Sequence, residues 1–147
     1  MPNFPGRTSH KTPVWVESGA TYHIRIRMQR SSPLPLTDAL VAPALIESAR
    51  FYHAQLRWNC RLFLLMPDHL HALLIFPHDK PLGEVIKKWK SYQTTTHGIS
   101  WQGNFFDHRI RSRVELDEKA AYIRLNPVRK LLCRSEEDWP WWISCVD

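Results

Sequence analysis

Cysteine is scarce in this 147-residue chain, and its three cysteines show no spacing that would bind a metal. Cys60, Cys133 and Cys145 form no Cys-x-x-Cys pair, so the sequence matches neither a zinc ribbon nor a disulfide framework. No apolar run approaches the roughly 18 residues that a membrane span needs, and the N-terminal residues form no apolar signal core. These absences exclude a disulfide-rich secreted scaffold, and they predict a soluble cytoplasmic protein with no membrane partner.

No internal repeat or second domain is evident in the sequence, and its length predicts one domain with its own core. A hydrophobic share of 44% and seven tryptophans exclude a disordered chain. The net charge of +6 and the pI near 9.5 favour an anionic partner, most often nucleic acid, although a generic basic surface carries the same charge. Prolines and basic residues at positions 1–16 predict an extended basic arm, followed by a single domain at residues 17–147.

An apolar, strand-like stretch at residues 66–76 carries two histidines two positions apart. On a strand, His69 and His71 would point to the same face, and the opposite face is wholly apolar and expected to pack against a core. Two neutral imidazoles side by side are half of a divalent metal site. The spacing alone leaves another interpretation open, in which both histidines are half buried and hydrogen-bonded to backbone or water.

A second alternating stretch, residues 20–28, predicts a strand with a basic outer face. His23, Arg25 and Arg27 alternate there with apolar residues, and such a face either contacts phosphates or is only solvated. Residues 57–66 are apolar, and a Pro-Asp turn separates them from the histidine stretch. These two stretches are expected to pair as a hairpin, which places the histidines on an inner strand.

Three segments have the apolar spacing of helices: residues 37–55, residues 82–95 and the stretch that follows Ser112. Thr37 is available as the N-cap of the first helix. Ser112 and Glu115 form a capping-box pattern at the start of the third, which Pro127 ends or kinks. Residues 101–111 are expected to be a strand or an extended segment.

The second of these helices carries a basic cluster interleaved with aromatic residues. Lys87, Lys88 and Lys90 alternate with Trp89 and Tyr92. Lysines neutralise phosphates and aromatic rings stack on exposed bases, so this mixture suits single-stranded nucleic acid. The alternative is a solvated helix face with Trp89 in the core.

Four motifs, in order along the chain, resemble the REP-associated tyrosine transposases, a branch of the single-tyrosine HUH transposases. Met-Pro-Asp-His-Leu-His at residues 66–71 contains the His-hydrophobic-His motif, and Tyr-Ile-Arg-Leu-Asn-Pro-Val-Arg at residues 122–129 is close to the family's Tyr-Ile-x-x-Asn-Pro-Val block. Ser-Gly-Ala-Thr-Tyr at residues 18–22 and Trp-Gln-Gly-Asn-Phe-Phe-Asp-His at residues 101–108 also look like family pieces. The resemblance extends from about residue 14 to residue 142.

The resemblance implies a ferredoxin-like α+β fold, in which an antiparallel sheet carries the histidine pair on an inner strand and helices pack on one face. His69 and His71 would bind a divalent ion, Mg²⁺ or Mn²⁺, and Asn126 would be the third ligand, a position where insertion-sequence relatives have Gln. Tyr122 would be the nucleophile, four residues before Asn126 on the same helix face. Without the resemblance, a helix tyrosine is usually a core residue.

The implied activity is a metal-dependent endonuclease and strand transferase of DNA transposition and recombination. Tyr122 would attack single-stranded DNA, folded as REP-like palindromic hairpins, and form a 5′-phosphotyrosine that a 3′-hydroxyl can reverse. The branch is commonly monomeric, whereas insertion-sequence relatives are dimers that exchange helices. The residues expected to contact the DNA backbone are Arg7, Lys11, Arg25, Arg27, Lys87, Lys88 and Lys90.

Two rival functions make different predictions. A non-catalytic nucleic-acid-binding domain on the same scaffold would bind DNA without metal and would be indifferent to Tyr122→Phe. A hydrolytic nuclease would cut without forming a covalent adduct. A zinc deaminase would need His-x-Glu and Pro-Cys-x-x-Cys, and neither occurs in the sequence.

Overall fold

The computed structural model describes residues 12–146, which form a five-stranded antiparallel sheet with helices on both faces. The strand order is β4-β1-β3-β2-β5, so β3 lies in the middle of the sheet. The strands are β1 (Thr21–Arg27), β2 (Asn59–Leu65), β3 (His69–Ile75), β4 (Phe106–Arg109) and β5 (Trp142–Ile143). The helices are α1 (Val14–Ser18), α2 (Val41–Ala54), α3 (Leu82–His97), α4 (Arg113–Arg124) and α5 (Asn126–Arg129).

The order of the elements confirms the predicted α+β class. The chain passes through β1, α2, β2, β3, α3 and β4, which is the ferredoxin-like succession. β2 and β3 pair as the expected hairpin, with Leu65 opposite Leu70 beside the turn. β1 pairs with the other side of β3 along its whole length, from Thr21 opposite Ile75 to Arg27 opposite His69.

The main core lies between one face of the sheet and helices α2 and α3. The face of β3 that the sequence predicts to be apolar belongs to this core, together with apolar residues of β1 and β2. Trp58 and Trp89 are fully buried there, and their rings lie 6.0 Å apart, centroid to centroid. Large aromatic rings in contact bury much apolar area, so this layer holds the sheet in place beneath the site.

Helix α4 packs on the opposite face of the sheet. Its Ile123 is buried against Leu62 and Leu64 of β2 and Leu73 of β3, and Trp139 completes the cluster. The prediction that helices pack on one face therefore holds for α2 and α3 but not for α4. The reason is that this face is polar only at its histidine end, so α4 covers the apolar end and leaves the histidines beside a cavity.

Helix α2 begins at Val41, later than the sequence pattern indicates, and the side chain that bonds its first N–H groups is that of Asp38 rather than Thr37. Oδ2 of Asp38 accepts hydrogen bonds from the backbone N–H groups of Leu40 and Val41, at 2.9 and 3.2 Å. A carboxylate at this position accepts hydrogen bonds from N–H groups that have no partner within the helix, and its negative charge interacts favourably with the positive end of the helix dipole.

Helix α4 begins as the capping-box pattern predicts. Oγ of Ser112 accepts a hydrogen bond from the backbone N–H of Glu115 at 3.1 Å. The Glu115 carboxylate accepts a hydrogen bond from the backbone N–H of Arg111 at 2.7 Å, whereas in a full capping box it would accept one from the backbone N–H of Ser112. The first turn of α4 is thus tied to the end of β4.

Helix α1 covers Val14–Ser18, so residues 14–16 of the predicted extended arm are helical, while residues 1–11 lie outside the described part of the chain. None of the helices between residues 12 and 146 has the length and apolar character to cross a lipid bilayer.

Candidate metal and tyrosine site

Two histidines and two arginines meet on one face of the neighbouring strands β1 and β3. Arg25 pairs opposite His71 and Arg27 opposite His69, and opposed residues of an antiparallel pair share a face. This face opens into a cavity of about 510 Å³ between the strands, the β2–β3 turn and the α4–α5 junction. Its lining residues are Arg25, Arg27, Met66, Pro67, Asp68, His69, His71, Tyr122, Asn126, Lys130 and Leu132.

Asp68 fixes the ring of His69. Nδ1 of His69 donates a hydrogen bond to Oδ1 of Asp68 at 2.7 Å, because an ionised carboxylate can only accept. This bond lowers the pKa of Asp68, and burial lowers the pKa of His69 although Asp68 opposes that shift. A neutral His69 with its proton on Nδ1 directs the lone pair of Nε2 into the cavity, as a metal ligand requires.

His23 supports His71 from behind. Nε2 of His23 lies 3.0 Å from Nδ1 of His71, and the two rings stack with centroids 5.2 Å apart. Burial is the main reason that the pKa of His71 is lowered to about 2 and that of His23 to about 4, so both rings are neutral near pH 7. When Nδ1 of His71 donates to His23, the lone pair of its Nε2 is free for a metal.

The two Nε2 atoms of His69 and His71 converge at a distance of 3.2 Å. Two nitrogens bound to one ion at about 2.1 Å, and at roughly a right angle, lie about 3 Å apart, so the pair fits adjacent positions around a divalent ion. Asn126 reaches the same point, with its Nδ2 2.9 Å from Nε2 of His71. A half-turn of the amide places Oδ1 there instead.

Within residues 12–146, no group of three His, Cys, Asp or Glu side chains is arranged to hold a metal ion. A metal at this position would therefore depend on two imidazoles and the Asn126 amide. That donor set leaves positions for a substrate oxygen and for water, as catalytic metal sites require.

Tyr122 lies at the rim of the same cavity, in the last turn of α4, with 51% of its surface exposed. A guanidinium nitrogen of Arg129 donates a hydrogen bond to the backbone carbonyl of Tyr122 at 2.6 Å, and the guanidinium lies 4.0 Å from the ring centroid. Nζ of Lys119 lies 6.0 Å from that centroid. Two cations beside an exposed phenol attract an anionic phosphate to it.

The junction between α4 and α5 places Tyr122 and Asn126 at different depths. Helix α4 ends at Arg124, and α5 begins with Asn126 and Pro127. A proline is tolerated in the first turn of a helix, because the N–H group that it lacks would have no partner within the helix. The chain turns at this point, so Asn126 is buried while Tyr122 stays exposed. The two residues line one cavity although they do not belong to one continuous helix.

The predicted DNA contacts fall into three groups. Arg25 and Arg27 line the cavity, whereas Lys87, Lys88 and Lys90 belong to α3 on the opposite face of the sheet. Arg7 and Lys11 lie outside the described residues.

The basic cluster on α3 is partly engaged in structural contacts. Nζ of Lys90 donates to the backbone carbonyl of Gln102 at 3.0 Å, and Lys88 lies 3.8 Å from the carboxylate of Glu84. Trp89 is fully buried, as expected under the alternative interpretation of this helix, in which its lysines are solvated and Trp89 belongs to the core. A role for these lysines in DNA binding stays a prediction that the geometry of the cavity does not support.

The sequence patterns give no role at this site to four of its side chains, which are His23, Asp68, Arg129 and Lys130. Asp68 and Arg129 lie within the recognised motifs and Lys130 directly follows one of them, so their position in the sequence is a signal that could have identified them. The role of His23 becomes visible only when β1 pairs with β3, because that pairing brings together residues that are far apart in the chain.

No family model matches the chain. In sequence, the chain is similar to the REP-associated tyrosine transposase of Escherichia coli (strain K12), with 24% identity over 122 residues that cover 81% of this chain and 72% of the relative. In structure, it superposes with a TM-score of 0.73 and 21% identity on a REP-associated tyrosine transposase bound to a REP hairpin, covering 92% of this chain and 82% of that one. At this identity, the structural likeness shows a common fold. Together the two comparisons confirm the resemblance to the REP-associated tyrosine transposases that the sequence motifs predict.

Proposed function

We propose that this chain is a metal-dependent, tyrosine-dependent endonuclease and strand transferase that acts on single-stranded, hairpin-forming DNA. One observation carries the proposal: a single cavity contains an exposed tyrosine, two converging imidazole nitrogens and an amide. A core histidine pair or a core tyrosine would not account for this arrangement, because the nitrogens face each other and the phenol is exposed.

His69 and His71 would hold the metal through Nε2, and Asn126 would hold it through its amide oxygen. When bound there, such an ion would supply withdrawal of charge from a non-bridging phosphate oxygen and orientation of the phosphorus for in-line displacement. The family resemblance implies Mg²⁺ or Mn²⁺. Of the two, Mn²⁺ accepts imidazole nitrogens more readily than Mg²⁺, which prefers oxygen ligands.

Tyr122 would act as the nucleophile on the phosphodiester. Its phenol loses a proton as its oxygen bonds the phosphorus, and the 3′-oxygen of the upstream strand leaves and takes up a proton. The product is a 5′-phosphotyrosine on the downstream strand. Because one P–O bond replaces another, a 3′-hydroxyl of a second end can reverse the step and join strands.

The substrate class follows from charge and from the relatives. Arg25, Arg27 and Lys130 surround the cavity and match a phosphate backbone. The structural relative is bound to a REP hairpin, and for this chain we propose hairpin-forming palindromic DNA with single-stranded flanks. We further propose that it acts as a monomer in the cytoplasm.

The test is covalent trapping on a library of 3′-labelled hairpins with single-stranded flanks, with Mn²⁺ or with EDTA. The label should remain on denatured protein with Mn²⁺ only. Tyr122→Phe should abolish the adduct, and Tyr92→Phe, which removes another exposed phenol, should not. Cleavage without an adduct would instead indicate a hydrolytic nuclease. Binding that survives EDTA, with no cleavage of any hairpin, would support the non-catalytic domain.

A further inference from the structure

An exposed aromatic ring lies near the histidines and has no role in the reaction proposed above. Phe106 belongs to β4, and 40% of its surface is exposed. Among the strand residues of the described chain, no other phenylalanine, tyrosine or tryptophan is exposed to this degree. Single exposed apolar residues are common on protein surfaces, so what points to a ligand is where this ring lies and what surrounds it.

The strand register places Phe106 in line with the site. Phe106 pairs opposite Arg25 of β1, and Arg25 pairs opposite His71 of β3, so the three side chains share one face. The ring of His23 connects them, with its centroid 5.5 Å from that of Phe106 and 5.2 Å from that of His71. A row of rings thus leads from the edge of the sheet to the metal-binding position.

The charge beside Phe106 indicates the chemistry of the ligand. The guanidinium of Arg25 lies 4.7 Å from the centroid of the phenyl ring, and Arg25 also lines the cavity that contains Tyr122. Arg27 and Lys130 extend the positive charge around that cavity. A ligand that offers both flat aromatic groups and regularly spaced anions is a single-stranded nucleic acid, whose bases stack on sheet-face aromatic residues beside arginines.

We propose that Phe106 stacks against an unpaired base of the DNA strand that flanks the scissile phosphodiester, while Arg25 contacts the adjoining phosphate. This inference rests on the proposed function, because it directs the strand across β4 and β1 into the cavity at Tyr122. Every base has a flat face, so this contact fixes where the strand lies without selecting its sequence.

The test measures binding in a Tyr122→Phe background with EDTA, so that cleavage does not interfere. Two labelled hairpins are compared, one with single-stranded flanks and one without. Phe106→Leu should weaken binding of the flanked hairpin about 5- to 150-fold and leave the other unchanged. Phe106→Trp should restore binding to within a few-fold. Phe51→Leu, at an exposed ring on α2, is the matched control and should have no effect.

Salt dependence adds a second readout. Because Phe106 neutralises no phosphate, Phe106→Leu should leave the slope of log Kd against log salt unchanged. Equal binding of the flanked hairpin by Phe106→Leu and by the parent protein would overturn the proposal. Failure of Phe106→Trp to restore binding would also overturn it, since an indole ring stacks at least as well.

The two proposals fail separately. If the flanked hairpin depends on Phe106 but no adduct forms at Tyr122, the stacking site stands and the transesterification does not. If the adduct forms at Tyr122 and Phe106→Leu binds the flanked hairpin normally, the transesterification stands and the stacking site does not.

Discussion

Nε2 of His23 lies 3.0 Å from Nδ1 of His71, on the side of the His71 ring that faces away from His69. The two proposed ligands are thus oriented by different partners, His69 by the exposed carboxylate of Asp68 and His71 by a buried imidazole. Each partner binds Nδ1 and leaves Nε2 for the cavity. Water can replace an exposed partner more easily than a buried one, so the two contacts should differ in importance.

Removing the buried partner should weaken metal binding. In His23→Leu, Nδ1 of His71 loses its acceptor, and the ring is free to adopt the tautomer that blocks Nε2. The affinity for Mn²⁺, measured without DNA from the paramagnetic signal of the free ion, should fall about 10- to 100-fold. His23→Gln, which offers an amide oxygen, should recover part of the loss. Equal affinity of His23→Leu and the natural protein would refute the role of His23.

Removing the exposed partner should matter less. Two-thirds of the Asp68 side chain is exposed, so a water molecule can accept the Nδ1 proton of His69 in Asp68→Ala. We expect a loss in Mn²⁺ affinity below about 10-fold, smaller than that of His23→Leu in the same titration. A larger loss of Mn²⁺ affinity in Asp68→Ala than in His23→Leu would show that the charge of the carboxylate contributes more to metal binding than the orientation of the rings does.

Local patterns predicted the elements that carry the site. Alternation of apolar and polar residues identifies β1, an apolar run with two histidines identifies β3, and the Ser112–Glu115 pattern identifies the start of α4. These signals depend on residues close in sequence, where side-chain periodicity and capping operate. For the cap of α2 the sequence offers Thr37 whereas the observed bonds come from Asp38, because both residue types can cap a helix and the pattern does not distinguish them.

The arrangement of distant elements was harder to predict. The sequence shows that His23, Arg25 and Arg27 share a face, but only the pairing of β1 with β3 sets them beside His71 and His69. The lysines of α3 are basic and near aromatics, yet their helix packs on the other side of the sheet because its apolar stripe, with Trp89, joins the main core. Composition cannot reveal which side a charged surface occupies.

The cap of α2 should contribute measurably to stability. Asp38→Ala leaves the N–H groups of Leu40 and Val41 without their acceptor, which should lower the free energy of unfolding by about 1 kcal/mol. Thr37→Ala is the matched control, because the observed bonds come from Asp38. Urea unfolding of both variants tests this. A larger loss of unfolding free energy in Thr37→Ala than in Asp38→Ala would show that Thr37 caps the helix, as the sequence pattern suggests.

Two basic surfaces can be distinguished by salt. Arg27 lines the cavity, and Lys87 is exposed on α3, so Arg27→Gln and Lys87→Gln remove one charge each from opposite sides of the sheet. We expect Arg27→Gln to weaken hairpin binding and to reduce the slope of log Kd against log salt by about 0.7, the value for one phosphate contact on a single strand. Lys87→Gln should leave the slope unchanged. A reduced slope for Lys87→Gln would place DNA on α3 as well.

Arg129 should control the orientation of Tyr122 rather than the binding of metal. Its guanidinium bonds a carbonyl in the last turn of α4, where no helical partner remains, and lies over the phenol ring. Arg129→Met keeps much of the aliphatic stem but loses both contacts, so the single-turnover rate of adduct formation should fall on the order of 10- to 100-fold, since small misplacements of a reacting group are costly. Arg129→Lys, with a charge but no planar fork, should be intermediate. Mn²⁺ affinity should not change in either variant, because Arg129 contacts none of the proposed ligands. An unchanged rate in Arg129→Met would mean that the turn at Pro127 alone holds Tyr122 in position.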